Sequence, residues 1–194
     1  VAIRSFGRRY QAPLTRGLAG EDLDTIVRTA PSPGVWSAVE YASHVTDIFR
    51  VFDDRVRCAL ADQPPDDPVV DWEGLVAAAS PGLKRGQVTD DLADAADSLA
   101  TTLSELNGHE WALPGLTGKG REVRVVELAT IAVHEGSHHL LDMGRVLRAA
   151  LRGDRTASQD EMFSYRTACL LLLGSFAGAL VWAGLVAMVA RWRE

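Results

Sequence analysis

Cysteine and lysine are scarce in this 194-residue chain. The two cysteines, Cys58 and Cys169, lie far apart and make no CxxC, which excludes a disulfide framework and fits a reducing compartment. Lysine occurs only at 84 and 119, the net charge is −6, and no basic block runs along any face. A protein that tracks nucleic-acid phosphates needs the opposite balance, so nucleic acid is not an expected partner. Arg4, Arg8 and Arg9 near the start are followed by no apolar h-region, so no cleavable signal peptide is expected. Internal repeats and low-complexity tracts are absent from the sequence.

What the chain does have is helical periodicity. A first helix is expected over Ile3 to Leu18, disturbed at Pro13, and a short turn over Glu21 to Val27; Pro31-Ser32-Pro33-Gly34 then breaks the helix. Ser37 followed by Glu40 is a capping box, which starts a second helix reaching about Ala61. At about 100° per residue, Tyr41, Val45, Ile48, Phe49, Phe52, Val56 and Leu60 share one face of it. Asp47, Arg50, Asp53, Asp54 and Arg57 share the other, and His44 falls on the border of the apolar face, able to point inward. A short helix is expected over Trp72 to Ala79. A third long helix has Thr89 as its N-cap and an apolar stripe of Leu92, Ala95, Ala96, Leu99, Leu103 and Leu106. Residues 107–124 read as irregular, with a short extended hairpin around Gly118-Lys119-Gly120. The last helix of this part spans Val125 to Leu151. Four long amphipathic helices with short connections predict an all-α, four-helix bundle over 1–151.

That last helix carries His134-Glu135-Gly136-Ser137-His138-His139. Residues i and i+4 stack on a helix, so His134 and His138 can reach one ion. Glu127 and Arg145 project within about 20° of His134, giving a polar stripe among Leu128, Ile131, Val133, Leu140, Leu141 and Val146. Buried polar groups need partners, so the stripe calls for a cavity, an ion or mutual pairing. His109 reads as a surface histidine and His139 as a packing one. His134-Glu135-x-x-His138 also spells the HExxH of zinc peptidases, with Glu as general base. The extended metzincin pattern fails at Leu141 and Gly144, but a zinc peptidase drawing its third ligand from elsewhere stays open.

Trp36-Ser37-Ala38-Val39-Glu40-Tyr41-Ala42-Ser43-His44-Val45, preceded by Pro33-Gly34, resembles the second-helix signature of the DinB-like superfamily. His134 to Asp142 resembles the HxxxH helix of the same family. More closely, residues 3–150 are similar to proteins grouped with the N-terminal domain of mycothiol-dependent maleylpyruvate isomerase. The resemblance implies a four-helix bundle in which His44, His134 and His138 hold a divalent metal, Zn²⁺ or Ni²⁺. It implies activation of a low-molecular-weight thiol, mycothiol or bacillithiol, for transfer to an electrophilic substrate or for isomerisation. The isomerase's second domain has no counterpart here. Glu135, Glu127 and Arg145 are candidates from the residues themselves for acid–base or ligand-supporting roles. A non-catalytic bundle that binds a partner is the alternative, and a homodimer is compatible with either.

One long hydrophobic run departs from this pattern. Residues 152–166 form a polar linker, and 167–190 are 24 residues without a charge, containing Gly174 and Gly178 in a GxxxG spacing. About 20 such residues span a bilayer. Arg148, Arg152, Arg155 and Arg166 before the run outnumber Arg191 and Arg193 after it, so the expectation is a membrane anchor with the bundle on the cytoplasmic side.

Overall fold

The capping box at Ser37 sets the register of the bundle. Ser37 Oγ accepts from the Glu40 amide at 3.4 Å, and a Glu40 carboxylate oxygen accepts from the Ser37 amide at 2.7 Å. The other Glu40 oxygen accepts from Ser80 Oγ at 2.5 Å, tying this start to a loop forty residues on. The computed structural model describes residues 2–16 and 22–152. The expected end of the first helix at Leu18 and the 167–190 run lie outside the described residues. Among the described residues no helix is long and apolar enough to cross a membrane.

Six α-helices, two short 3₁₀ turns (Ser80–Gly82 and Glu110–Ala112) and one hairpin make up the described fold: α1 (Ser5–Thr15), α2 (Leu23–Arg28), α3 (Ala38–Leu60), α4 (Trp72–Ala79), α5 (Arg85–Ser104), β1 (Pro114–Leu116), β2 (Glu122–Arg124) and α6 (Val125–Arg152). Helix α3 packs along both α5 and α6, and α1 closes the bundle against the same two. The buried residues of α1 are Phe6, Gly7, Tyr10 and Leu14, the i, i+4, i+8 stripe of an amphipathic helix. Tyr10 is fully buried and its hydroxyl donates to the Gly136 carbonyl of α6 at 2.8 Å.

Two expectations are corrected. Helix α5 begins at Arg85, four residues before the expected N-cap; Thr89 is buried within it, its hydroxyl donating to the Gly86 carbonyl. The guanidinium of Arg85, the first residue of the helix, is held by Asp24 and the Leu14 carbonyl, which anchors the helix start just after the Ser80–Gly82 turn. Asp53, expected on the solvent face of α3, is buried because Ser98 and Thr102 of α5 donate to its two oxygens at 2.7 and 2.6 Å. A buried carboxylate with several donors is a satisfied one.

The expected hairpin forms as β1 and β2, antiparallel with Gly115 opposite Val123. Its turn uses Gly120 at φ +70, a left-handed conformation that glycine adopts without strain. The tip approaches α4: a Cβ on Gly118 would fall 2.5 Å from the Trp72 ring. The hairpin therefore fixes where that indole stands.

Gly136 and Gly144 of α6 have opposite surroundings. A Cβ on Gly136 would meet Phe6 and Phe49 rings at 2.9 to 3.0 Å, whereas one on Gly144 meets nothing nearer than 3.9 Å. Gly136→Ala is expected to destabilise the protein by about 1–3 kcal/mol through overpacking. Gly144→Ala is expected to be neutral or to stabilise by up to about 1 kcal/mol, as Ala replaces Gly in a helix interior. Urea unfolding of both variants checks this; the reverse order of stabilities contradicts the packing described.

Candidate metal centre

Two turns into α3, His44 points into the bundle and is 6% exposed. Its ring centroid lies 4.8 Å from that of Trp36, 5.5 Å from Trp72 and 4.8 Å from His139 of α6. The two indoles come from the loops before α3 and at the start of α4, so three separate segments wall this imidazole. Its Nδ1 is buried without a hydrogen-bond partner. An orphaned polar atom in such a place costs free energy unless something fills the role of partner.

Helix α6 turns its inward face through Leu128, Ala132 and Met143, all fully buried. At about 100° per residue, His139 falls about 20° from the line through Leu128 and Val146, whereas His134 falls about 120° from it. Helical twist thus brings Glu135 and His139, not His134, onto the buried side. Nε2 of His139 lies 3.3 Å from Glu135 Oε2, and its Nδ1 lies 3.4 Å from Asp142 Oδ2. Nδ1 makes no aligned hydrogen bond at that distance. The same Asp142 oxygen is 3.3 Å from Nε2 of His138, and the other is held by Arg145 at 2.9 Å. Ligand atoms of His138, His139 and Asp142 all lie within 4.8 Å of one another.

The electrostatics favour a cation between these groups. Burial, helped by the nearby His139, pushes the His44 pKa down to about 4, so this ring is a neutral donor at ordinary pH. Burial also works against a charged His139, yet the Asp142 and Glu135 carboxylates outweigh it and raise its pKa. Burial raises both carboxylates, but His139 and its neighbours overcome that and hold Glu135 and Asp142 below their usual values. The two acids thus favour the charged form of His139, against its burial. Neutral imidazole and carboxylate together are a donor set suited to Zn²⁺, Ni²⁺ or Fe²⁺.

Of the residues expected from sequence, His44 and Glu135 stand at this centre, and His138 borders it. His134 is exposed and stacks on His138, with centroids 5.9 Å apart and rings within 6° of parallel. Glu127 is exposed at the start of α6, where it accepts from the Arg124 amide at 2.9 Å. That capping contact places it at the helix start, more than a turn from the histidines. Arg145 reaches the centre through Asp142. His139 was expected to be a packing residue. The signal that reveals it is the second i,i+4 pair, Glu135/His139, overlapping the first by one residue and aligned with Leu128 and Met143. Engagement of Glu135 by His139 also leaves the HExxH peptidase arrangement without its free general base.

A family model described as the DinB superfamily matches residues 6–143. Comparison with curated protein sequences returns no match. Among solved structures the fold resembles YfiT from Bacillus subtilis, described as a probable metal-dependent hydrolase with an unusual four-helix bundle topology. The TM-score is 0.62 at 12% identity, over 76% of this chain and 82% of that one. It also resembles the mycothiol-dependent maleylpyruvate isomerase, with a TM-score of 0.59 at 18% identity over 78% of this chain. A histidine-to-alanine mutant of that enzyme gives 0.60 at 16%. At these identities the likeness is one of fold, and the match spans 64% of the isomerase chain, less than two thirds of its length.

The depressed pKa of His44 has a measurable consequence in metal-free protein. Between its ordinary value of about 6.5 and about 4, the unfolded chain binds this proton and the native chain does not, so stability falls as pH falls through that window. His139 acts in the opposite sense: its contribution is full below the unfolded value and is lost as pH rises through the raised folded one. Imidazole NMR titration is expected to find one ring neutral until close to pH 4, and that signal should vanish in His44→Phe. A His44 ring titrating at its ordinary value would contradict the packing around it.

Proposed function

The chain belongs to the DinB superfamily, and from that premise we propose that it is a divalent-metal enzyme that activates a low-molecular-weight thiol for S-transfer or isomerisation. The single observation that carries this reading is the pairing of His44 with Glu135 and His139 across two helices, with a buried Nδ1 left unpartnered. We assign His44, Glu135 and His139 as the ligands, in place of a trio that includes exposed His134. His138 and Asp142 stand beside them as further donors.

A divalent cation at such a centre supplies Lewis acidity, favouring the thiolate form of a thiol, which is the reactive nucleophile. The chain's own residues prepare for this. Burial keeps His44 neutral and therefore able to donate a lone pair. Glu135 stays ionised and contributes negative charge that offsets the cation. Arg145 fixes Asp142, and Asp142 faces the far nitrogen of His139, which orients the ring. Trp36 and Trp72 exclude water from the His44 side. A groove of about 620 Å³ lined by Pro31, Pro33, Val35, Trp36, Glu40 and Glu73 shares the Trp36 indole with the centre and offers room for the thiol or its electrophilic partner. The likeness to a mycothiol-dependent isomerase supports the choice of thiol class. The partner-binding bundle has no comparable support, because a purely structural bundle gains nothing from a half-open set of unpaired donors.

Purified protein is expected to hold stoichiometric Zn²⁺ or Ni²⁺, and His44→Ala or His139→Ala should lose it together with thiol-conjugating activity. Unchanged metal content in both variants would refute the ligand assignment. Metal without any thiol-dependent turnover, across mycothiol and bacillithiol, would refute the enzyme reading.

The uncharged 24-residue run at 167–190 supports a second element of the proposal, a tether to the inner face of the membrane. Full-length protein is expected to stay with the membrane fraction after an alkaline wash. Complete release into the supernatant would end that idea.

A further inference from the structure

The groove beside the metal centre carries charge of one sign. Glu40 and Glu73 line it, and no arginine, lysine or histidine stands among its lining residues. Partial burial works to raise the Glu40 pKa, yet hydrogen bonds from Ser80 and Ser37 outweigh it and hold the carboxyl below its usual value. Those donors are neutral hydroxyls and an amide, so the negative charge of Glu40 meets no cation in the groove. Glu73 stands exposed in the first turn of α4. Pro31, Val35 and the Trp36 indole supply apolar walls. An aromatic ring beside carboxylates is the combination that recognises an organic cation, because the ring face attracts it and the acids complement its charge. We propose that this groove selects a ligand bearing an ammonium group, so that the electrophilic substrate of this chain is a cation rather than a carboxylate.

That the ligand is a substrate rests on the thiol-activating reading above; the charge selection does not. Trp36 connects the two places, since its ring centroid lies 4.8 Å from that of His44 while the same side chain lines the groove. A ligand seated there is one indole away from the centre. Ser32 lines the groove as well, and its hydroxyl oxygen is buried without a hydrogen-bond partner, so a polar group of the ligand can satisfy it. A bare metal ion is a poor occupant: the convergent metal-ligating group among the described residues is His138, His139 and Asp142, which does not include these glutamates. A volume of about 620 Å³ with an indole wall instead suits an organic molecule. An anionic ligand would meet two like charges.

Benzyltrimethylammonium and phenylacetate, both carrying a benzyl group and opposite in charge, test the selection on the full chain. Binding is followed by NMR of the Trp36 indole N–H, identified by its loss in Trp36→Phe. At low salt the ammonium is expected to bind about tenfold more tightly than phenylacetate, and Glu73→Gln to lose about threefold of that affinity or more. Because Glu73 is exposed, its replacement should leave helicity by circular dichroism unchanged. Equal affinities for the two probes, or a Glu73→Gln that binds the ammonium as wild type does, overturns the charge selection. Turnover is then compared for two bromoacetamides, one carrying a trimethylammonium and the other a carboxylate. In each the thiolate attacks the bromine-bearing carbon, the S–C bond forms, and bromide leaves with the C–Br electron pair. Faster turnover of the cationic reagent, with the difference reduced in Glu73→Gln, supports the substrate class; faster turnover of the carboxylate overturns it. Binding of the ammonium as expected, with no turnover of either reagent, would sink the thiol reading and leave the charge-selective groove standing.

Discussion

The contact between His44 and His139 is the constraint around which the rest is arranged. It brings a neutral imidazole from α3 against an imidazole from α6 that is flanked by two carboxylates, beside a core of apolar side chains. Burying that many polar groups is unfavourable unless each has a partner. The fold supplies most of them: Arg145 to Asp142, His139 to both acids, and Tyr10 to the helix backbone at Gly136. Nδ1 of His44 and Nδ1 of His139 are left without a hydrogen-bond partner.

The supporting structure follows from holding those two helices in register. The capping box starts α3 at a fixed residue, and the bond from Ser80 to Glu40 locks that start to the turn that precedes α5. Gly136 lets α6 approach the Phe6 and Phe49 rings one turn from His139. The small hairpin sets the position of Trp72, which in turn walls His44. Elements that look incidental in isolation thus act on the same few side chains.

Membership in the DinB superfamily accounts for the helical bundle. Overlapping His134/His138 and Glu135/His139 pairs place polar groups on two faces of one helix, one exposed at His134 and one turned toward the core. On the buried face a low-dielectric surrounding strengthens every charge interaction.

Much was legible from the sequence. The start of α3 at Ser37, the full length of α6 and the inward potential of His44 all follow from local rules of capping and periodicity, which act within a few residues. The bundle followed from four amphipathic stripes. What the sequence could not decide was rotation. On α6 apolar residues lie nearly all round, so periodicity did not say which side faces α3, and on sequence alone His134 was the candidate ligand and His139 a packing residue. Packing decided it: Leu128, Ala132 and Met143 take the core side, and helical twist then carries Glu135 and His139 inward and leaves His134 in solvent. The start of α5 and the burial of Asp53 were decided in the same way, by hydroxyls and carboxylates supplied from distant segments. Local sequence fixes where a helix begins and how long it runs; which of its faces becomes the site depends on neighbours that only the folded chain brings near.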